Sequence, residues 1–183
     1  MANNITKQSI YISTGSPSTY NSSTLYKPGE LGGQITINDQ KWQQVQCDSG
    51  ATASTPTGVV AAGQTAFWKT KSTFTVTNDI RFAWNAAVTA ANAVNAIAGV
   101  FTTAVTAGNY CMIGQKGQFS LKAASGGTWT QGNAVVANTG SSADFTTITG
   151  GQAVTQQLVG WVRGSRNGTT GLALVDMQLP DVP

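Results

Sequence analysis

A chain of 183 residues with ten basic and seven acidic side chains, no histidine and a net charge of +3 has a charged fraction of 9%, about a third of what an ordinary soluble domain carries. That length suits one domain with an appendage, and so little charge leaves few repulsions to keep copies apart, which favours a protein that lives in a permanent assembly. The missing histidine removes histidine-based triads, histidine metal sites and the usual proton shuttle at neutral pH.

Residues 1–34 read as an extended N-terminal arm. Ser or Thr fills six of the nine positions 16–24, followed by Pro28-Gly29 and Gly32-Gly33, a composition that cannot supply a core. Ile10, Tyr11 and Ile12 in SIYIS, then Tyr20, Leu25 and Tyr26, punctuate this polar string and are the expected contacts with a partner or subunit surface. The start MANNITKQSIYIS lacks a basic stretch leading into an apolar core. No secretory signal is therefore expected, and the chain is expected to be made in the cytoplasm.

The body, residues 35–183, reads as short strands. ITINDQKWQQVQC alternates through Ile35, Ile37, Trp42, Val45 and Cys47, and AFWKTKSTFTV alternates through Ala66, Trp68, Phe74 and Val76. KGQFSLKA, GNAVVAN, QQLVGWVRG and TGLALVDMQLP complete the set, separated by Gly-Gly, Asn-Gly and Ser-Gly steps. Runs rich in Val, Thr, Phe and Trp between such turns predict an all-β fold, a compact β-barrel or β-sandwich. A weak internal repeat relates AGQTAFWK to QGNAVVAN, each followed by an apolar-Gly-apolar step. Cys47 and Cys111 lie in apolar strand settings, consistent with buried thiols or with a bridge.

Residues 82–115 contain no charge, yet Asn85, Thr89, Asn92, Asn95, Thr102 and Thr103 interrupt every window long enough to span a bilayer, so no membrane segment is expected. Residues 97–115 read as a hairpin turning at Ala107-Gly108-Asn109. Residues 82–96 read as a short helix, favoured by their alanines, or as an irregular insertion, and as a contact with a partner surface. Trp161, inside LVGWV, is expected to be buried. Trp84, and Trp129 in GGTWTQG, are expected at the surface as contact residues.

Chemistry is sparse. The seven carboxylates do not recur at a spacing that pairs them locally, and no phosphate loop, nucleophile elbow or zinc-spaced cysteine pair occurs. No catalytic, metal or cofactor residue is therefore assigned, and no enzyme is expected. The basic pairs Lys69/Lys71 and Arg163/Arg166 flank apolar runs and read as solvated strand edges. Without an aromatic-lined basic groove, direct nucleic-acid binding is not expected.

The succession VQCDSG (45–50), AFWK (66–69), IAGV (97–100), TAGNY (106–110), IGQKG (113–117), GNAVVA (132–137) and QLVGWV (157–162) resembles the auxiliary head proteins of tailed bacteriophages, the decoration or cement proteins that bind the outer capsid surface. The likeness runs over roughly residues 40–178 and leaves the arm uncovered. It implies a small β-barrel or sandwich on the capsid exterior of the virion, contacting the major capsid protein and copies of itself as trimers or dimers at symmetry axes. It implies no cofactor and carries no catalytic residue. A different class remains open: a carbohydrate-binding or host-adhesion module of a head or tail fibre, with Trp84, Trp129 or Trp161 as stacking platforms. A minor shell or portal-vertex component is a third reading.

Overall fold

The structure, a computed structural model, describes residues 17–24, 30–48, 59–79, 82, 97–137, 143–148 and 157–179. Residues 10–12, 25, 26 and 84, and the segment 83–96, lie outside them.

The chain is all-β, and no α-helix occurs among the described residues. Five strands close into a barrel: β3 (Gln40–Cys47), β5 (Thr65–Thr70), β6 (Thr75–Thr77), β7 (Ile97–Phe101) and the first half of β9 (Tyr110–Lys122). Closure comes from two long-range pairings. β3 lies antiparallel to β9, with Val45 opposite Cys111, and parallel to β6, with Cys47 opposite Val76. β6, β5, β7 and β9 complete the circuit in antiparallel steps.

The second half of β9 leaves the barrel and joins β10 (Ala134–Ala137), β11 (Phe145–Ile148), β12 (Leu158–Gly164) and β13 (Leu172–Gln178). They form an antiparallel sheet in the order β11-β10-β12-β13-β9. β2 (Gln34–Ile37) extends the barrel side by pairing with β3. The two-residue β4 (Val59–Val60) and β8 (Val105–Thr106) pair with each other.

Two hydrophobic cores result. The barrel interior holds Val45, Cys47, Val60, Ala66, Trp68, Val76, Ala98, Phe101, Cys111 and Ile113. The larger core lies between the outside of the barrel and the second sheet. Trp42, Phe67, Ile97, Val100 and Met112 come to it from barrel strands, and Phe119, Leu121, Val135, Val159, Val175 and Met177 from the sheet. Period-two alternation explains how one strand serves both. On β5, Ala66 and Trp68 face the barrel interior while Phe67 faces out.

β9 is 13 residues long and changes parity midway. Cys111 and Ile113 belong to the barrel core, Phe119 and Leu121 to the second core. The shift falls at Gly114–Lys116, where the pairing with β3 skips a residue between Trp42/Gly114 and Lys41/Lys116. Gly117, just beyond, takes a left-handed φ of +100°, and a Cβ there would lie 2.7 Å from the Asp39 carbonyl oxygen. Gln115, at the skipped position, is buried and donates to the Gln43 side chain at 2.6 Å and to the Ala98 carbonyl at 3.2 Å. The inward amide is thereby satisfied.

The run ITINDQKWQQVQC folds back on itself rather than running straight. Asn38 and Asp39 take φ values of 48° and 63°, and Ile37 pairs with Gln40. A two-residue loop with both central residues at positive φ is a type I′ hairpin turn, in which Asn and Asp are tolerated. The expected hairpin at 97–115 is present: β7 pairs with β9 through Val100/Gly114 and Phe101/Ile113, with a turn at Ala107-Gly108.

Cys47 and Cys111 are free and fully buried. Burial, then the neighbouring Asp48 carboxylate, pushes the Cys47 thiol up to about 12, and burial chiefly, then Cys47, raises Cys111 well above its ordinary range. The unfolded thiol ionises near 9.0. Between these values the folded state keeps a proton that the unfolded chain releases, so stability falls with rising pH. Stability should be insensitive to these thiols below pH 9 and decline above it, with a limiting slope of about 1.4 kcal/mol per pH unit for each thiol. Denaturant melts between pH 8 and 11 check this, and Cys47→Ala should show the shallower decline.

Candidate functional site

A concave surface lies on the outer face of the second sheet. On β13, Ala173, Val175 and Met177 point into the core, while Leu174, Asp176 and Gln178 alternate outward. β9 pairs with β13 through an unbroken register from Leu172/Lys122 to Gln178/Lys116. This sets Gln118 beside Asp176 and Lys116 beside Gln178.

β12 supplies an aromatic ring to the same face through an irregularity. Val159 and Gly160 are both buried, Trp161 is 40% exposed, and Val162 is buried again. The register with β10 steps from Val135/Gly160 to Val136/Leu158 and skips Val159. This bulge turns Trp161 outward, opposite Asp176. The expectation that Trp161 is buried is therefore corrected: the apolar run LVGWV spends its extra residue on reversing the ring's direction.

Two open hollows adjoin here. A larger one of about 710 Å³ runs between the Asn38–Asp39 hairpin turn and the β9–β13 edge, along Gln40, Lys116, Gln118 and Gln178. A smaller one of about 290 Å³ lies between Trp161, Arg163, Gln131 and Gly132. Asp176 and Gln178 line both. Arg163 donates to the Asp176 carboxylate at 2.9 Å, and the Gln40 amide donates to the Gln118 carbonyl. The charges around the hollows are Lys116 and Arg163 against Asp39 and Asp176, so the lining is balanced.

Of the residues expected to make contacts, Tyr20 and Trp129 lie among those described. Tyr20 follows a 3-10 turn, Pro17–Thr19, and precedes β1 (Asn21–Ser22). It is half-buried against the larger core, and its hydroxyl donates to the Thr24 carbonyl. β1 pairs with the start of β9, Asn21 opposite Cys111, and the Asn21 side chain accepts from the Asn109 amide at 2.8 Å. This part of the N-terminal segment is thus tied to the chain's own barrel.

Trp129 is corrected as well. It is 6% exposed, a member of the larger core, and its indole N–H donates to the Ala124 carbonyl at 3.3 Å. The loop-like sequence around it gave no sign of that burial. The two tryptophans have exchanged their expected places.

Reasoning from sequence also overlooked Asp176, Gln178, Gln118 and Gln131. The alternation LALVDMQ placed Asp176 and Gln178 on the solvent face, but nothing local showed that β9 and the β2–β3 hairpin would flank them. Among the described residues, no three of His, Cys, Asp or Glu gather as a metal site, and no helix is long and apolar enough to cross a membrane.

No protein-family model matches the chain, and no curated protein matches it. Among solved structures, it is similar to the N base of the head fibre protein gp8.5 of bacteriophage phi29. The identity is 9% and the TM-score 0.46, over 78% of this chain and 97% of that one. At that distance the likeness transfers no residue roles.

Proposed function

We propose that the chain is a non-catalytic structural protein of a bacteriophage virion, a decoration or cement protein. In this reading it binds the outer surface of the capsid, contacts the major capsid protein and its own copies as trimers or dimers at symmetry axes, and reinforces contacts between capsomers. It assembles in the host cytoplasm and touches neither nucleic acid nor membrane.

The observation that carries the reading is the way the N-terminal segment is anchored. Tyr20 and β1 fasten it to the start of β9, and the sequence upstream contains SIYIS, whose alternation would put Ile10 and Ile12 on one side of a strand if it pairs with a neighbour. A tether fixed at one end, with an alternating segment beyond it, suits strand addition to a neighbour's sheet edge. Ordering such an arm costs on the order of 1–2 kcal/mol per residue in backbone entropy, so continuous pairing along it is required. The low charge of the chain supports permanent assembly in the same direction.

The test is truncation after residue 16, which keeps Tyr20 and β1. The truncated protein should melt within a few degrees of full length, yet its occupancy on shells in co-sedimentation should drop at least about tenfold, equivalent to about 1.4 kcal/mol. Undiminished occupancy, or failure of the full-length chain to sediment with shells, would overturn the reading.

A further inference from the structure

The groove on the outer sheet face has no part in the arm-mediated attachment proposed above, and its chemistry is specific. We infer that it is a saccharide-binding site for neutral oligosaccharides, with the Trp161 indole as the stacking platform and Arg163, Asp176, Gln178, Gln131 and Gln118 as the hydroxyl-reading groups.

The ring comes first. Trp161 is 40% exposed on a sheet whose inward residues are fully packed, and a bulge in β12 is what holds it outward. An indole is flat and apolar with one polar edge, so it is best covered by a ligand with a flat apolar face and a polar rim. A pyranose ring, with axial C–H groups on one face and hydroxyls around its edge, has that shape.

The lining comes next. Gln131 stands with Trp161 and Gln178 around the smaller hollow, and Gln118 with Gln178 around the larger. Each side-chain amide offers two donors and an acceptor, which matches hydroxyls that both give and take hydrogen bonds. The Arg163–Asp176 pair, 2.9 Å apart beside the indole, adds a donor fork and an acceptor held in fixed relation.

Charge selects among ligands. Lys116 and Arg163 are balanced by Asp39 and Asp176, so the groove lacks the excess of cations by which proteins neutralise a phosphate or sulfate backbone. A neutral chain is favoured over a polyanion. Shape selects length: the hollows of about 710 and 290 Å³ are open and share Asp176 and Gln178, forming a track for several linked sugars. The floor is rigid, because a continuous seven-pair register between β13 and β9 holds Gln118, Asp176 and Gln178 in place.

The experiment uses the full-length chain with cellohexaose, chitohexaose, maltohexaose, xylohexaose and mannohexaose at millimolar concentration, and a heparin hexasaccharide as the polyanionic control. Binding is read by saturation-transfer NMR and tryptophan fluorescence. At least one neutral hexaose should bind, Trp161→Ala should weaken it at least about tenfold, Gln178→Ala should weaken it less, and Trp161→Phe should restore much of the affinity. Because Trp161 lies outside the core, circular dichroism should show its variants folded. Absence of signal with every neutral hexaose overturns the inference. So does binding by heparin alone, or a Trp161→Ala variant that binds sugar like the parent. Self-association that Trp161→Ala abolishes, without sugar binding, would instead assign the face to a second copy. Shell co-sedimentation of Trp161→Ala should be unchanged, which separates this site from capsid attachment.

Discussion

Replacing Trp42 with alanine should cost about 3–5 kcal/mol, the range for deleting a large aromatic side chain from a packed core. The ring is 4% exposed and meets Phe119 edge-to-face, with centroids 4.9 Å apart at 88°. Trp42 belongs to a barrel strand and Phe119 to the half of β9 that has left the barrel, so this contact joins the barrel's outer wall to the second sheet. Gly114 belongs to the same junction, since a Cβ there would sit 2.6 Å from the Phe119 ring. Thermal melting should drop by roughly 6–20 °C for a chain of this size. The indole nitrogen of Trp42 has no hydrogen-bond partner among the described residues, so Trp42→Phe forfeits no bond seen there and should cost less than half as much. A loss below about 1 kcal/mol for Trp42→Ala would show that the two layers do not depend on this contact.

Gly160→Ala should be comparably damaging for a different reason. A Cβ at Gly160 would lie 2.0 Å from the Asp176 carbonyl oxygen and 2.9 Å from the Met177 Cα. Both are backbone atoms of β13, so no side chain can swing away; β12 and β13 would have to part. We expect at least about 3 kcal/mol of destabilisation, or loss of soluble protein, as for other substitutions that leave a core no room to relax. Gly126→Ala, where nothing among the described residues lies within 4 Å, is the matched control and should stay within about 0.5 kcal/mol of the parent. If both variants melt alike in urea, the close approach of the two strands is not as described.

These two positions also show what could be read from sequence. The glycine steps that suggested a resemblance recur at close approaches and turns. At Gly99 in IAGV, a Cβ would lie 2.5 Å from the Gly114 carbonyl, and Gly160 in LVGWV touches β13. Alternation along β5 and β13 was equally legible, because a period of two depends only on neighbours in the chain. What failed were the places where that period slips. The bulge in β12 reversed Trp161, the parity change at Gly114–Lys116 moved β9 from one core to the other, and the Asn38–Asp39 turn split what read as one strand. Barrel closure was out of reach, since β3 meets β9 across some 70 positions of sequence, Gln46 opposite Tyr110 and Lys41 opposite Lys116. The groove was illegible for the same reason, its walls coming from five separate stretches of chain.

The closed barrel has a consequence for how this protein behaves in concentrated solution. An unpaired strand edge is a template on which further chains can zip up, and proteins usually guard such edges with lysine or other charges. With charged residues at 9%, that defence is scarcely available here. Geometry takes its place: β3, β5, β6, β7 and β9 each have neighbours on both sides. Among the described residues, the edges left to the main sheet are β2 and β11, four residues each, the two-residue β1, and the side of β9 beyond Lys116 that β3 no longer covers. β2 is further bounded by the Asn38–Asp39 turn. Association between copies, which so little charge favours, is thereby directed to side-chain surfaces, because the described strands offer little backbone for another copy to extend.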